Sequence, residues 1–444
     1  MTTSQSELLS RHRRVMPSWL SLYYNEPLEL VSGEGRHVRD SNGKNYLDFF
    51  GGILTTSTGY NVPEVVDAIR EQAGRMLHTS TLYLIRPMIE LAERISELST
   101  IPDAKVFLVN SGTEAVETAL MISCAARSSN QVLALRNSYH GRSFTAMSVT
   151  GNRSWSSSSL SPLNVSYVQS GNRLRSPFGP LSDSEFIDAC VRDLRDVIET
   201  TTSGDVACMI AEPIQGVGGF IVPPDGFFGA MKKVLDEYGI LFISDEVQTG
   251  WGRTGEHFWG FEAHDIQPDL LTFAKGLGNG LAIGGVVGRP ELVDSVRANS
   301  ISTFGGNPLS SAGALANLNY ILSHDLQSNA LKVGNYLRDQ LQERAGALDM
   351  IGEIRGRGLM IGVELVEPGS LTPNLLAAQS VLEACRRGGV LIGKGGLHNN
   401  VLRIAPPLSV TMDEATTFLE VLTEVLHDAN HAVTGHTTEM RIHA

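Results

Sequence analysis

The stretch "SDEVQTGWGRTGEHFWGFEAHDIQPDLLTFAKGLGNG", Ser244 to Gly280, sets an acid at the end of one apolar run and a lysine at the end of another. Ile240 to Ser244 leads into Asp245 and Leu270 to Ala274 leads into Lys275, and both runs read as buried strands. In an open α/β sheet the ligand crevice lies beyond the carboxyl ends of the strands, so this Asp and this Lys face one ligand. A lysine that follows "LLTFA" and precedes a glycine-rich loop is partly desolvated, which lowers its pKa and frees its neutral amine as a nucleophile. Each residue alone also has a plain structural account: a lysine snorkelling from a strand end, and an acid capping a helix. The rest of the chain decides between the two.

Working back towards the N-terminus, the strand "VACMIAE" ends in Glu212, and the helix "FFGAMKKVLDEYG" is closed by Gly239 before the strand that carries Asp245. Further back, "AKVFLVNSGTEAVETALMISCAAR" reads as a strand from Lys105 to Val109, a tight turn through Ser111 and Gly112, and a helix from about Thr113 to Arg127. Ser111 with Glu114 three residues on is a capping box. The same bend presents backbone N–H groups at the positive end of a helix dipole, which is a phosphate site. In "QVLALRNSYHGRSFTAMSV" a strand runs into Tyr139, His140, Gly141 and Arg142, and another strand is expected after them. An aromatic ring at a strand end beside a phosphate site can stack on a planar ligand. Residues 151–180, rich in Ser, Gly, Asn and Pro, read as a long surface excursion of the kind that is usually functional or mobile.

Working forward, "AIGGVVG" is a strand, and "STFGGNPLSSAGALANLNYIL" turns through Gly305 and Gly306 into a long apolar helix. From about Leu326 the pattern changes to an amphipathic helix, the strand "LMIGVELV", a helix from Asn374 to Arg387, short strands at "VLIG" and "VLRIA", and a last helix capped by Thr411 and Glu414. The expected fold is therefore α/β: a large domain with a mostly parallel sheet wrapped by helices, plus a smaller α+β domain from the N- and C-terminal segments. The expected division is 1–60 for an N-terminal arm and part of the small domain, 61–325 for the large domain, 326–430 for the small domain and 431–444 for a polar tail.

The 444 residues hold 35 Lys plus Arg against 48 Asp plus Glu, a net charge of −13, which argues against nucleic acid or an anionic membrane as partner. Four widely spaced cysteines without a C-x-x-C pair, and no apolar segment of signal-peptide or membrane-spanning length, point to a reduced cytoplasmic protein. No metal site is expected, His427 and His431 being placed in a polar tail.

A lysine amine, an acid, a phosphate cradle and a stackable aromatic converge at strand ends, and pyridoxal 5'-phosphate is the cofactor that needs all four. Its aldehyde wants a lysine, its ring nitrogen a carboxylate, its phosphate backbone donors, and its ring a flat neighbour.

With "NSGTEAVETAL", "YHGR", "AEPIQG", "DEVQTGWGRTG", "FAKGLGNG", "TFGGNP", "RGRGLMIGVEL" and "RIAPPL" in this order, the chain from about Glu26 to Asp428 resembles the class III (ω-) aminotransferases, fold-type I enzymes that use pyridoxal phosphate. That resemblance implies that Lys275 is the Schiff-base lysine and the acid/base that moves a proton, a step that typically contributes about 10² to 10⁴ in rate. It implies that Asp245 pairs with the ring nitrogen and Gln248 reaches the ring hydroxyl. Ser111, Gly112 and Thr113 hold the phosphate, while Tyr139, with His140 beside it, covers the ring. Thr303 completes the phosphate site of a neighbouring subunit, so a homodimer with shared active sites is implied, alone or as a dimer of dimers. Arg403 grips an α-carboxylate, Glu212 neutralises that Arg when an ω-amine enters, and Arg142 takes a further carboxylate. Arg142 resembles members acting on 4-aminobutyrate, ornithine or acetylornithine, whereas "AEPIQGVGGF" and "RGRGLMIGVELV" look closer to the alanine–glyoxylate type 2 and phospholyase branch. "GYNVP" at Gly59 to Pro63 departs from the Gly-His that many relatives carry. The resulting expectation is an aminotransferase moving an amino group from an ω-amino acid or small amino acid to pyruvate, glyoxylate or 2-oxoglutarate. A lyase or aminomutase of the same family is the alternative, and a regulatory protein without chemistry a third reading that the intact Lys275, Asp245 and Gln248 oppose.

Overall fold

A helix, Thr3–Val15, and then glycine-turned hairpins open the chain in the structure, a computed structural model that describes residues 3–442, with side chains for 5–434. Strands β1 (Leu30–Glu34), β2 (His37–Asp40) and β3 (Asn45–Asp48) are antiparallel, with Gly35 and Gly43 at positive φ in the turns. Two helices follow, Pro63–Arg75 and Arg86–Leu98, each with proline in its first turn, where the missing N–H costs nothing.

The central sheet comprises β4 (Lys105–Val109), β5 (Gln131–Leu135), β6 (Asn164–Val168), β7 (Cys208–Ala211), β8 (Leu241–Asp245), β9 (Leu270–Phe273) and β10 (Gly284–Gly288), in the order β4-β10-β9-β8-β7-β5-β6. Only β10 runs against its neighbours, so the other six strands point one way. Every residue of β7, β8 and β9 is buried, as continuous apolar runs are when helices cover both faces of a sheet. Helices Gly112–Arg127, Asp183–Thr201 and Phe227–Glu237 supply that cover from between the strands.

Helices Pro308–Ser323 and Leu326–Ala345 lead to β11 (Ile351–Arg357), β12 (Met360–Leu365), β13 (Val390–Leu391), β14 (Gly393–Gly395) and β15 (Val401–Ile404). An antiparallel sheet forms in the order β11-β12-β15-β14, and β13 instead pairs in parallel with β3, joining the C-terminal part to the N-terminal hairpins. Phe49, next to β3, stacks on Phe418 of the last helix at 3.8 Å between ring centroids, sealing that junction.

The expected mostly parallel α/β sheet with an α+β C-terminal part is what the chain forms, and four local readings differ. After Tyr139 to Arg142 the chain forms a short helix, Phe144–Ser148, where a strand was expected; Ser143 caps it by accepting from the Ala146 N–H. The 151–180 excursion contains β6, whose alternating Val165 and Tyr167 were hidden by the serine-rich surroundings. β11 was also missed, because "IGEIRGR" carries two glycines and three charges. The last helix, Met412–Ile442, continues through the stretch expected to be a tail, and His427 lies on it with Nε2 at 3.0 Å from the Arg344 carbonyl oxygen. Among the described residues no helix is long and apolar enough to cross a membrane, and no cluster of His, Cys, Asp or Glu could hold a metal ion.

Candidate active site

Five parallel strands end at one place. Ser111, Gly112 and Thr113 follow β4, and Tyr139, His140 and Gly141 follow β5. Glu212 follows β7, Asp245 closes β8 ahead of Val247 and Gln248, and Lys275 follows β9. All of these line one cavity of about 160 Å³.

Lys275 adopts a left-handed backbone (φ 42°), a strain of about 1–3 kcal/mol for a residue with a side chain, which surrounding structure must hold. Ser57 Oγ and Asn317 Nδ2 hold it by donating to the carbonyl of Gly276, at 2.5 and 2.9 Å. Lys275 keeps some surface open to the cavity, but burial of its amine pushes the pKa down from 10.5 to about 8, against the pull of Asp245 and with the help of Arg403.

Asp245 is buried, and its Oδ2 lies 2.6 Å from His140 Nδ1, while Oδ1 accepts from the Val247 N–H and Thr272 Oγ1, each at 3.2 Å. An ionised carboxylate only accepts, so this contact puts the proton on Nδ1. His140 Nε2 is left buried without a hydrogen-bond partner.

At the β4 bend Ser111 is extended, and its Oγ accepts from the Glu114 N–H at 3.2 Å. The capping box is only half formed: the Glu114 carboxylate passes Ser111 and accepts from the backbone and side-chain nitrogens of Asn110, at 3.1 and 3.0 Å. The leading N–H groups of this 16-residue helix face the cavity end, with no intrahelical acceptors available to them. A Cβ at Gly112 would lie 3.1 Å from both methyls of Val247, and one at Gly141 (φ 136°) 2.7 Å from Thr113 Oγ1. Glycine is thus required at 141, and at 112 a side chain would press on Val247. An anion cradle, a buried acid, a depressed amine and a close-fitting glycine wall in one cavity are the donor set that pyridoxal phosphate needs.

Arg403 is buried beside this cavity. Its Nη2 donates to Gln248 Oε1 at 2.9 Å, and its guanidinium lies 4.6 Å from the Phe220 ring and 5.2 Å from the Phe50 ring. Burial pushes its pKa down to about 10, so it stays charged at neutral pH, and its Nε has no partner. Glu212 does not pair with it: the carboxylate accepts from the N–H groups of Tyr139 and Gly216, both at 2.9 Å. Burial raises Glu212 to about 7 despite these two bonds and the nearby His140. Arg142 lies outside the cavity wall, exposed, with its guanidinium 5.5 Å from the Trp19 ring. Thr303 is exposed as well and does not line the cavity.

The structure adds Val247, Phe50, Phe220 and Tyr23 to the residues expected from sequence. Val247 stood inside "DEVQ" and could have been named with its neighbours. Phe50, Phe220 and Tyr23, which stacks on Phe50 at 5.9 Å, carry no local signal, because each arrives from a different part of the chain.

Known proteins share this sequence and fold. The family described as aminotransferase class-III matches residues 23–426. The chain is 39% identical over 423 residues to alanine–glyoxylate aminotransferase 2 homolog 2, mitochondrial, of Arabidopsis thaliana, covering 94% of this chain and 87% of that protein. Among solved structures, it superposes with a TM-score of 0.86 on an amine transaminase from an uncultivated Pseudomonas species in its PLP-bound form, at 29% identity over 94% of this chain and 98% of the other. The same score relates it to a phospholyase from Arthrobacter in complex with phosphoethanolamine, at 33% identity over 95% and 99%. The chain belongs to the class III aminotransferase family: it is a fold-type I enzyme whose cofactor is pyridoxal phosphate and whose reactants are a small-molecule amino donor and a 2-oxo acid acceptor.

Proposed function

We propose that this aminotransferase takes its amino group from a small amino acid or an ω-amino acid and delivers it to pyruvate, glyoxylate or 2-oxoglutarate by a ping-pong sequence. The observation that carries this reading is the depressed amine of Lys275 facing the same cavity as Asp245, with the charged Arg403 at its side.

Pyridoxal phosphate, when bound, supplies a carbonyl that takes up the amino group and a conjugated ring that draws electrons from the adjacent carbon. Ser111, Gly112 and Thr113 would hold its phosphate at the helix N-terminus, with Tyr139 and Val247 in the wall beside the ring. Asp245, steadied by His140, would keep a proton on the ring nitrogen. Lys275, with a pKa of about 8, is roughly one-tenth neutral at pH 7 and can take and return a proton at the substrate carbon. Arg403 receives the α-carboxylate, for which Gln248 Oε1 is the resting partner, and such a charge-assisted bond contributes about 1.5–3 kcal/mol. Glu212 rests on the Tyr139 and Gly216 amides and is at hand to neutralise Arg403 when the incoming group carries no carboxylate. Arg142, exposed outside the cavity wall, remains the candidate for a distal carboxylate.

Thr303 serves a second copy of the chain in this reading. Support comes from the exposed Leu82, Tyr83, Leu84, Ile301 and Phe304, and from the apolar cavity of about 580 Å³ beside Ser302 and Gly305, both of which a homodimer would cover. The domain division at about residues 60 and 325 fits the pairing of β13 with β3. Four free cysteines suit the cytoplasm.

The phospholyase likeness favours a second reading, elimination in place of transfer. Incubation with amino donor alone separates them: a transaminase converts its cofactor once and stops, and repeated release of ammonia or phosphate would refute transfer.

A further inference from the structure

Three neighbouring strands of the C-terminal sheet carry a row of residues in register: Arg355 on β11 faces Gly362 on β12, which faces Arg403 on β15. Residues directly opposite in antiparallel strands project from one face of the sheet, so two arginines stand on either side of a position with no side chain. Into that slot drops the turn that follows Glu212. A Cβ at Gly362 would lie 2.8 Å from the Gly219 carbonyl oxygen and 3.4 Å from Phe220 Cβ. Arg355 takes the carbonyl from one side, with Nε at 3.1 Å and Nη2 at 2.8 Å. Arg403 lies over the Phe220 ring on the other. Phe220 is completely buried at φ 53°, a conformation that bulky residues adopt only under constraint.

The constraint has a charged anchor. Arg355 Nη1 donates to Glu364 Oε2 at 2.8 Å, and Glu364 Oε1 accepts from Arg175 Nε at 2.8 Å. Arg355 and Glu364 are buried, and the aminotransferase roles above use none of the three. Arg175 comes from the 151–180 excursion, whose length alone marked it as a candidate for function. At its near end the same turn meets the cofactor side: the Gly216 N–H donates to Glu212, and a Cβ at Gly216 would lie 2.3 Å from Gln248 Oε1.

We infer that Arg355, anchored by Glu364 and Arg175, is a positioning residue for Arg403: it clamps the Gly216 to Phe220 turn in the Gly362 slot and so sets the enzyme's affinity for substrates that bear an α-carboxylate. This rests on the reading of Arg403 as the carboxylate grip. Lysine in place of Arg355 keeps the charge but not the planar fork that reaches Gly219 and Glu364 together. Alanine in place of Gly362 pushes the turn out of the slot without touching any charge.

The test uses the full-length, cofactor-loaded enzyme and two amines: L-alanine, and isopropylamine, in which a methyl stands where alanine has its carboxylate. Each half-reaction is followed by visible absorbance, and propionate affinity is measured by calorimetry as a readout independent of turnover. In Arg355→Lys and Gly362→Ala the half-saturating L-alanine concentration and the propionate Kd are expected to rise on the order of tenfold, with isopropylamine constants within about twofold of wild type. Glu364→Gln, which preserves shape, is expected to follow in the same direction, and covers the case in which Gly362→Ala does not fold. Equal changes for both amines, or no change in propionate affinity, would overturn the inference. Arg403→Leu separates the two claims: if it leaves the alanine-to-isopropylamine ratio and propionate binding untouched, the carboxylate reading of Arg403 itself fails, and the clamp with it.

Discussion

In the protein stripped of its cofactor, Lys275 is expected to titrate near pH 8, and two substitutions that each remove one charge should move it in opposite directions. A fall from 10.5 to about 8 corresponds to about 3.4 kcal/mol against the charged amine. At pH 7 it raises the neutral fraction about 300-fold over that of an ordinary lysine. Burial is the largest cause, Asp245 opposes it and Arg403 adds to it. Asp245→Asn should therefore lower the midpoint further, and Arg403→Gln should raise it. Pulse labelling with an amine-reactive anhydride across a pH series, read by peptide mass spectrometry with the exposed Lys233 as internal reference, measures each midpoint.

The same depression has a consequence for stability. A lysine whose folded pKa lies below its unfolded one binds fewer protons in the native state between about 8 and 10.5, so stability rises with pH across that window. Lys275→Met should then stabilise the cofactor-free protein at pH 7 by up to about 3 kcal/mol, with the gain fading as the pH climbs from about 8 and gone above about 10.5. A wild-type midpoint near 10.5, or two charge substitutions that shift it the same way, would refute the reasoning.

Two further outcomes bear on the frame around the site. Glu246 accepts from Ser244 Oγ, Thr249 Oγ1 and the N–H groups of Gly260 and Phe261, yet burial pushes its pKa up to about 7. A raised carboxyl pKa contributes stability that is whole below pH 4.5 and lost as the pH rises through about 7, so the urea-measured penalty of Glu246→Gln should be larger at pH 5 than at pH 8, by at most about 3 kcal/mol. Gly141→Ala forces a side chain onto Thr113 Oγ1 at φ 136°, and at a strain of about 1–3 kcal/mol it should weaken pyridoxal phosphate binding, measured by equilibrium dialysis, while the far-ultraviolet dichroism stays that of wild type.

What could be read from the sequence is what has a short-range cause. Buried parallel strands are continuous apolar runs, so β7, β8 and β9 announced themselves, and with them the residues at their carboxyl ends, Glu212, Asp245 and Lys275. The bend at Ser111 and Gly112 was equally local. β6 and β11 were not legible, since serine-rich flanks mask one and charged residues the other, and tertiary pairing overrides both. The resting partners of Arg403 and Glu212 could not be read at all. Gln248 and Arg403 are 155 residues apart, and their bond exists because β15 is carried to the end of β8 by everything between them.

That contrast separates two kinds of information in the chain. The chemistry depends on groups that end successive strands of one sheet, where a shift of one residue would break the strand as well as the site, so motif and fold are read together. In the proposed reading the choice of substrate depends on Arg403, which stands opposite Gly362 in register, beside a turn inserted from the large sheet and two strands from Arg355. The motifs "RGRGLMIGVEL" and "AEPIQGVGGF" contain Arg355, Gly362 and the turn, but nothing local in either says that they meet Arg403. If the clamp acts as inferred, relatives that share Lys275 and Asp245 are expected to differ in donor through substitutions at such remote positions. Sequence comparison confined to the cavity wall would miss that difference, whereas exchanging residues 216–220 together with position 362 between two relatives should carry alanine affinity with it.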